Sequence, residues 1–440
     1  MKLAVMPAFQ DYNTGWFHIC IFVFKLTQKY SLASQTKLKI LNDPIYGFIT
    51  IPNERVFRII EHPYFQRLRR ISQMGLSYLV YPGAHHTRFH HALGCVHLMQ
   101  KAVRVLRYKG VEISETEEEA LLIAILMHDI GHGPFSHAME HSLVEGVDHE
   151  TISLLFMEEM NANFNQSLTL AIKIFKGSYD RNFMNQLISS QMDMDRLDYL
   201  KRDSFYTGAV EGNINSERII TMLNVVNDEL VIEEKGIYSV EKFLIGRRLM
   251  YWQVYLHKTS LVAEQLLIRV LKRAKELIEK GEKLHASGAL LYFLENKITR
   301  DNFTNETLEI FSRLDDNDVI SAMKEWMYSD DFVLSNLCEM IINRNLLKVK
   351  IKKKRPSEAK LEKRSRALQD KYGISEKEAS YFVFEGEIAN LAYKREKNNI
   401  NILHKNGKIS DVIKVSDQLN LKALTNTVTK FYMCYPKVRD

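Results

Sequence analysis

The sequence predicts a mostly α-helical protein with a small α+β part at its C-terminal end. From residue 56 to about residue 335, apolar residues recur at spacings of three and four, as in Val56, Ile59 and Ile60, which places them on one face of a helix. Only 8 prolines occur in 440 residues, and because proline interrupts helices, their scarcity favours long helices. After Asn343 the spacing shifts toward two, which is typical of strands.

These patterns divide the chain into three predicted parts. Residues 1–38 show no clear period and are predicted to be an irregular leader. Residues 39–338 are predicted to be a helical domain that opens with a small hairpin, with a turn around Pro44 and Gly47 and a strand at 48–51. Residues 339–440 are predicted to be an α+β domain with strands at 346–351 and 431–438, helices at 357–372 and 375–380, and a hairpin of 400–403 and 409–415 around Asn406-Gly407.

Composition limits the class of protein. Hydrophobic residues make up 46% and charged residues 26%, as in globular chains, so dominant disorder and a fibrous fold are excluded. The four cysteines are scattered without a C-x-x-C pair, which argues against a disulfide framework and a thiolate zinc finger and favours a cytoplasmic location. The longest apolar stretch near the start, residues 16–24, is far short of the ~20 residues of a membrane span, so no membrane partner is expected. The net charge of +6 suits an anionic small molecule or a nucleic acid.

Histidine is the most informative residue type. Ten of the fifteen histidines lie between His85 and His149. Imidazole is the commonest metal ligand and the usual acid or base near neutral pH, so this density predicts a metal-dependent catalytic site. The alternative is that most of these histidines cap helices or lie in the core or on the surface.

Three segments supply a mixed set of nitrogen and oxygen ligands. His128-Asp129 ends an apolar helix at 120–127 and is followed by glycines that leave room for a ligand. Upstream lies His91, and downstream residues 193–198 hold three carboxylates. Two histidines with one adjacent and one distant aspartate suit Mn, Fe, Zn, Ni or Mg rather than a soft thiolate metal.

Helical spacing adds candidate substrate contacts. Asp195, Tyr199 and Arg202 fall at i, i+4 and i+7, so they share a helix face. Arg202 is also i+4 from Asp198, and the alternative for this pair is a surface salt bridge. A second stripe at i, i+4, i+8 and i+11 comprises Arg247, Tyr251, Tyr255 and Lys258. It could hold phosphates and stack a base, or it could be an ordinary amphipathic helix with long side chains.

The ordered motifs identify a resemblance to a known family. They are residues 43–47, Phe65-Gln66-Arg67-Leu68-Arg69 with Gln73-Met74-Gly75, Tyr81-Pro82-Gly83-Ala84 leading to Arg88-Phe89-His90-His91, residues 128–137, and residues 193–203. This set resembles the HD-domain phosphohydrolases, and within them the deoxynucleoside triphosphate (dNTP) triphosphohydrolase branch. The resemblance covers roughly residues 40–260.

The resemblance implies a role for each matching residue. The implied metal ligands are His91, His128, Asp129 and Asp195, and the implied catalytic residues are His132, His137 and His149 with Glu140 as acidic partner. Arg88, Arg196, Arg202, Arg247 and Lys258 would hold phosphates, Tyr199 would pack on the sugar, Gln73 and Asp203 would bind the 3′-hydroxyl, and Tyr251 and Tyr255 would line the base. Leu256 stands where a polar base contact is expected. The implied cofactor is one divalent transition metal (Mn, Fe, Zn or Ni), with Mg accompanying the substrate.

The implied reaction is hydrolysis of a dNTP to deoxynucleoside and inorganic triphosphate by a homo-oligomer, either a dimer or a tetramer. One alternative is an HD-type hydrolase of another nucleotide: a monophosphate, a cyclic nucleotide or an alarmone. The other is a nucleic-acid-binding module that uses the basic run at residues 348–355. We favour a solvated strand end for that run, because acidic residues follow it and no aromatic residues interleave with it.

Overall fold

The computed structural model describes residues 39–135, 139, 142, 144–394, 399–417 and 421–437. The predicted leader, residues 1–38, lies outside the described residues. The described part is mostly α, as predicted. Its helices are α1 Glu54–Glu61, α2 Pro63–Gln66, α3 Arg88–Tyr108, α4 Glu115–Met127, α5 His149–Asn163, α6 Thr169–Phe175, α7 Asn182–Ile188, α8 Met194–Thr207, α9 Ser216–Thr221, α10 Ile237–Met250, α11 Lys258–Glu279, α12 Gly288–Glu295, α13 Asn305–Phe311, α14 Asp316–Trp326, α15 Phe332–Ile342, α16 Glu358–Tyr372, α17 Glu376–Ala379 and α18 Val412–Val415.

Short strands connect and flank these helices. They are β1 Ile40–Asp43, β2 Gly47–Thr50, β3 Val144–Glu145, β4 Leu223–Val226, β5 Glu229–Glu233, β6 Ile298–Thr299, β7 Lys348–Lys352, β8 Phe384–Asn390, β9 Asn401–Leu403, β10 Ile409–Asp411 and β11 Val428–Tyr435. β1 and β2 form the predicted N-terminal hairpin. Its turn is closed by Asp43, whose Oδ1 accepts hydrogen bonds from the backbone N–H groups of Ile45 and Tyr46 at 2.9 and 3.0 Å.

The core is built around α3, α4 and α8. A capping box starts α4: the Ser114 hydroxyl accepts from the Glu117 N–H, and Glu117 accepts from the Ser114 N–H. From Ala120 to Met127 every side chain of α4 is buried, which an apolar helix requires when neighbours surround it. α3 packs against both α4 and α8, so the motifs at residues 88–91, 128–129 and 193–203 come together.

Besides the β1–β2 hairpin and a short parallel pair of β3 and β6, two larger sheets lie beside the helices. β7, β11 and β8 form an antiparallel sheet with β11 in the centre. The other sheet has the order β10-β9-β5-β4, and in it β5 pairs in parallel with β9. β4 and β5 belong to the predicted helical domain, so this sheet joins it to the C-terminal part. α15 also continues through residue 338, and the division at residues 338 and 339 therefore stays a prediction.

The predicted hairpin at 400–415 is correct in its turn but wrong in its second arm. The strand ends at Asp411, and α18 follows immediately. The cause is local, since Asp411 Oδ1 accepts a hydrogen bond from the Ile413 N–H at 2.8 Å and so caps a helical turn. Among the described residues, none of the helices has the length and apolar character needed to cross a bilayer.

Candidate active site

The first turn of α3 positions His91 at the centre of a buried cluster. His91 is fully buried, and its Nδ1–H donates to Asp198 Oδ2 at 2.7 Å. That bond fixes the ring, so Nε2 faces the carboxylates of Asp195, at 3.0 Å, and Asp129, at 3.7 Å. His91 therefore binds Asp198 through one ring nitrogen and presents the other nitrogen to the carboxylates of the cluster.

The end of α4 delivers His128 and Asp129 to the same point. The Nδ1–H of His128 donates to the Ile125 carbonyl at 2.6 Å, which leaves Nε2 3.4 Å from Asp129 Oδ1 and 3.6 Å from Asp195 Oδ1. This Nε2 is buried and makes no hydrogen bond within the described part of the chain. Burial alone would raise the pKa of Asp195, but the imidazoles of His128 and His91 outweigh it and hold that pKa below its ordinary value.

These four side chains fit a divalent metal. Two imidazole nitrogens and two carboxylates converge with separations of 3.0 to 3.7 Å, which is a mixed nitrogen and oxygen set suited to a transition metal. The orphaned His128 Nε2 is what a cation would satisfy. The side chains of His91, His128, Asp129 and Asp195 are thus brought together as predicted from the sequence.

Cys95 lies next to this cluster. One helical turn after His91, its Sγ is 3.6 Å from both nitrogens of that ring. His91, Cys95, His128 and Asp195 together form a group of ligand atoms all within 4.8 Å of one another. Burial raises the pKa of the Cys95 thiol, so the thiol is protonated near neutral pH. The sequence interpretation did not include this residue.

Gly131 allows α5 to approach the cluster. A Cβ at this position would overlap the backbone of His149 and Ser153. The approach is held by Ser153, whose hydroxyl donates to the His128 carbonyl at 2.8 Å and accepts from the Gly131 N–H at 2.9 Å. As a result the ring of His149 lies against that of His132, with centroids 3.9 Å apart. His132 and His149, two predicted catalytic residues, are therefore neighbours, while His137 and Glu140 lie outside the described residues.

A series of buried ion pairs connects His91 of the cluster to the N-terminal hairpin. Asp198 is fully buried and accepts two hydrogen bonds from Arg202, at 2.9 and 3.0 Å. Arg202 also donates to Asp43 at 2.7 Å. Burial by itself raises the pKa of Asp198, but Arg202 and His91 outweigh it and lower that pKa to about 2. A Cβ on Gly94 would overlap both Asp198 and Arg202, so glycine is required where α3 passes this pair.

This chain of contacts corrects one expectation and excludes one alternative. Arg202 was predicted to hold phosphates, but its guanidinium is completely buried and bound to two carboxylates, so it supports the site instead. The Asp198–Arg202 pair is buried rather than on the surface. Asp198 was missed as the partner of His91, although its i+4 spacing to Arg202 was the signal that pointed to a paired carboxylate.

A cavity of about 510 Å³ adjoins the cluster. Its lining includes six predicted substrate residues: Gln73, Arg88, Tyr199, Asp203, Tyr251 and Tyr255. Arg88 connects the two parts, because its guanidinium also donates to Asp129. Leu256 lies in the wall as well. The arrangement places a cation and half-buried tyrosine rings beside the four ligand side chains.

Polar groups in this cavity differ in their partners. Both carboxylate oxygens of Asp203 are engaged: Oδ1 accepts from His86 at 2.6 Å and Oδ2 accepts from the Tyr255 hydroxyl at 2.8 Å. By contrast, Gln73 Oε1 is buried and has no hydrogen-bond partner within the described ranges. Burial raises the pKa of Tyr255, and the nearby Asp203 carboxylate raises it further, so its phenol remains a donor at neutral pH.

The predicted stripe from Arg247 to Lys258 is wrong at its far end. α10 ends at Met250, a π-helical segment covers Tyr251–Tyr255, and α11 begins at Lys258. The wider turn breaks the 3.6-residue period. Lys258 consequently lines a different cavity, of about 280 Å³, with Arg344 and Lys348, and it does not line the cavity beside the cluster.

The two remaining predicted phosphate contacts are held by protein groups. Arg247 donates to the Ala392 carbonyl at 3.3 Å, and its guanidinium carbon is 5.9 Å from the centroid of the Tyr251 ring. Arg196 forms an ion pair with Asp193, and its Nη1 is 3.9 Å from Asp195 Oδ2. Of these two, Arg196 is therefore the one beside the metal-ligand cluster.

Comparisons with known proteins agree with this geometry. The HD domain family matches residues 88–203, and the family described as HD associated region matches residues 214–292. The uncharacterized protein YwfO of Bacillus subtilis is 33% identical over 419 residues, which cover 91% of this chain and 92% of that protein. A crystal structure of a phosphohydrolase from Bacteroides thetaiotaomicron has a TM-score of 0.89 and 51% identity, over 91% of this chain and 100% of that one.

The fold and site define a helical phosphohydrolase of the HD class. The chain belongs to the HD-domain phosphohydrolases. Within them it resembles the dNTP branch: the deoxynucleoside triphosphate triphosphohydrolase SAMHD1 of Bos taurus is 28% identical over 366 residues, covering 71% of this chain and 59% of the bovine protein.

Proposed function

We propose that this HD phosphohydrolase cleaves dNTPs into deoxynucleoside and inorganic triphosphate. The observation that carries the proposal is the continuity of the 510 Å³ cavity with the His–Asp cluster through Arg88. The cavity's volume is in the range of sites that enclose a ligand of nucleotide size. Relatives that are named dNTP triphosphohydrolases share 28% identity with the chain, which supports this substrate over other nucleotides.

The metal would be held by His91, His128, Asp129 and Asp195. When bound, a divalent ion there supplies charge for a phosphoryl oxygen and lowers the pKa of a water molecule. Asp198 keeps His91 in the tautomer whose Nε2 faces the site. The Ile125 carbonyl does the same for His128.

Arg88 would stabilise the negative charge of the transition state, and the pair of imidazoles would supply the proton. Water adds to the α-phosphorus and releases one proton, the bond from phosphorus to the 5′-oxygen breaks, and that oxygen takes a proton from the general acid to become the free hydroxyl of the deoxynucleoside. The proton released by the water restores the acid, so the reaction balances. Arg88 offsets the charge that develops on the phosphoryl oxygens. We assign the proton donor role to His149, whose ring centroid is 3.9 Å from that of His132, with His137 and Glu140 as further predicted members. General acid catalysis of this kind contributes about 10² to 10⁴ in rate.

The opposite end of the cavity would bind the nucleoside. Gln73 Oε1, which lacks a partner among the described groups, is suited to accept a hydrogen bond from the 3′-hydroxyl. Asp203 and Tyr255 are already bonded to each other, so we propose that they act on the sugar as a unit. Tyr199 and Tyr251 would pack on the sugar and base, with Leu256 in place of a polar base contact.

A product screen tests the proposal. The metal-loaded protein is incubated separately with each dNTP, each ribonucleoside triphosphate, and mono- and cyclic nucleotides, and products are separated by ion-exchange chromatography. Each incubation is run with and without added Mg and with and without a second nucleotide. We expect the dNTPs to yield inorganic triphosphate and deoxynucleoside in equal amounts. Release of orthophosphate or pyrophosphate instead would refute the dNTP triphosphohydrolase reaction and leave the HD phosphohydrolase class standing. Light scattering on the same samples tests the predicted dimer or tetramer.

A further inference from the structure

The positive charge of the chain is concentrated in one short segment. Residues 348–371 contain 11 lysines and arginines and 3 acidic residues, a net charge of +8, whereas the whole chain carries +6. The other 416 residues therefore carry −2. We call the exposed lysines of this segment the basic surface: Lys348, Lys350, Lys352, Lys353, Lys354, Lys360, Lys363 and Lys371.

The register of β7 explains how the basic surface is displayed. β7 is an edge strand that pairs only with β11 within its sheet, and its exposure alternates along the strand. Val349 and Ile351 face the core, so Lys348, Lys350 and Lys352 project from the outer face. Lys353 and Lys354 continue the row into the loop, and α16, which has no buried residue, continues it beyond.

The basic surface is not neutralised by the protein. None of its lysines forms a salt bridge with the residues that the structure describes, whereas Arg355 in the same loop pairs with Glu385 at 3.1 Å and Glu387 at 3.6 Å. Lysines on an edge strand can serve simply to prevent pairing with another sheet. That role accounts for β7 but not for Lys353 and Lys354 in the loop or for the lysines of α16.

The apolar strip beside these lysines is already covered. On the outer face β11 presents Phe431, Met433 and Tyr435, and α16 packs Leu361 and Leu368 against part of this strip. The guanidinium carbon of Arg364 is 3.5 Å from the centroid of the Tyr435 ring. Within residues 348–372 the exposed large hydrophobic side chain that the structure shows is Tyr372, 48% exposed at the end of α16, and its ring centroid is 5.4 Å from that of Phe332. The surface thus offers one ring at its edge for stacking a base and no group of apolar residues for inserting into a lipid bilayer.

The sequence alone favoured a solvated strand end for residues 348–355, but the structure extends that run with the exposed lysines of α16. We therefore propose that the basic surface binds nucleic acid through its phosphate backbone, without reading the bases. Exposed, unpaired lysines along a strand, a loop and a helix match a polyanion, and phosphate contacts alone give binding that is independent of sequence. The basic surface lies beside the hydrolase cavity rather than in it. Ile388 and Tyr432 line that cavity from the inner face of the sheet, and Glu387 also contributes to its lining. The carboxylate of Glu387 pairs with Arg355 at 3.6 Å, whereas the lysines of the basic surface are not in the cavity lining.

The test is fluorescence anisotropy of labelled DNA and RNA oligonucleotides of about 30 nucleotides in a salt series from about 50 to 200 mM. The full-length protein is expected to bind both, and the affinity should fall steeply with salt. The variant Lys352→Gln/Lys353→Gln/Lys354→Gln should bind at least about tenfold more weakly. Because each phosphate contact contributes about 0.7 to 0.9 to the slope of log affinity against log salt, that slope should fall by about 2.

A matched variant provides the control. Lys235→Gln/Lys283→Gln/Lys324→Gln removes the same charge from exposed lysines outside the basic surface. This variant should keep the wild-type affinity within about twofold, because salt screens charges that are far from the bound nucleic acid. Both triple variants should keep phosphohydrolase activity, which verifies folding. Equal losses in the two variants, no binding at low salt, or tighter binding to anionic lipid vesicles than to nucleic acid would overturn the proposal.

Discussion

The two ends of the cavity are supported in different ways. At the metal-ligand end, each imidazole has a second buried partner, and the support continues through Asp198 and Arg202 to Asp43 in the N-terminal hairpin. At the other end, which we propose binds the nucleoside and call the nucleoside end, Tyr251 and Tyr255 lie on a π-helical turn. Among the described residues one hydrogen bond, from the Tyr255 hydroxyl to Asp203, connects this wall to α8. The difference teaches that ligand geometry is held by buried charge, whereas the nucleoside wall is held by backbone shape.

The largest effect is expected from removing a metal ligand. His128→Ala should lose bound metal and reduce turnover by at least about 1,000-fold, because an ion at such a site contributes several kcal/mol to the transition state. Metal content by mass spectrometry and the rate of product release check this. Asp330→Asn, a change at an exposed aspartate, is the control; wild-type metal content in His128→Ala would contradict the ligand assignment.

Gly94→Ala should destabilise the metal-ligand end most strongly. The added methyl group would displace the buried pair of Asp198 and Arg202, and disrupting a buried ion pair lowers the free energy of unfolding by about 3 kcal/mol or more. Chemical denaturation measures the change. Gly288→Ala introduces the same methyl group with no atom within 4 Å, so it should leave stability nearly unchanged; equal stabilities of the two variants would disprove the crowding argument.

Asp198→Asn should weaken metal binding without removing a ligand. The variant keeps the shape of the side chain but loses the charge that orients His91, and loss of such a partner reduces metal affinity by about 10- to 100-fold. Competition with a chelator gives the dissociation constant. Excess metal should restore part of the turnover, which a residue acting directly on the substrate would not allow.

The smallest effect is expected at the nucleoside end. Tyr255→Phe removes the hydroxyl that donates to Asp203 at 2.8 Å, a bond to a charged group worth about 1.5 to 3 kcal/mol. The KM for the nucleotide should rise about 10-fold or more, with metal content and kcat little changed. Tyr238→Phe, at an exposed tyrosine, is the matched control. If Tyr255→Phe lost bound metal, the two ends of the cavity would not be supported independently, which would contradict the comparison.

The sequence predicted the ligand cluster because its signals are local. The density of histidines, the His128-Asp129 pair and the carboxylates of residues 193–198 each stand out within a few positions. The support beneath them was not predictable, since Arg202 reaches Asp43 across 159 positions of the chain. A guanidinium on the correct helix face can bind phosphate or a buried carboxylate, and only the fold decides between them.

Periodicity failed where the backbone departs from regular geometry. The prediction of a stripe that ends at Lys258 assumed 3.6 residues per turn throughout. The segment Tyr251–Tyr255 is π-helical instead, and its residue types do not indicate that change. The four-stranded sheet was missed for another reason. Parallel pairing of β5 with β9 joins segments far apart in the chain, and strands of three to five residues carry too few positions for a pattern to be recognised.

The sheet that contains both β5 and β9 determines how the protein can be shortened. A chain cut at residue 338 would end inside α15 and would strip β9 from β5. Val231 and Ile232, each 1% exposed, would then meet water along an unpaired edge that invites association with other chains. A catalytic fragment made for crystallisation or screening should therefore retain residues 399–417 or carry polar replacements along β5.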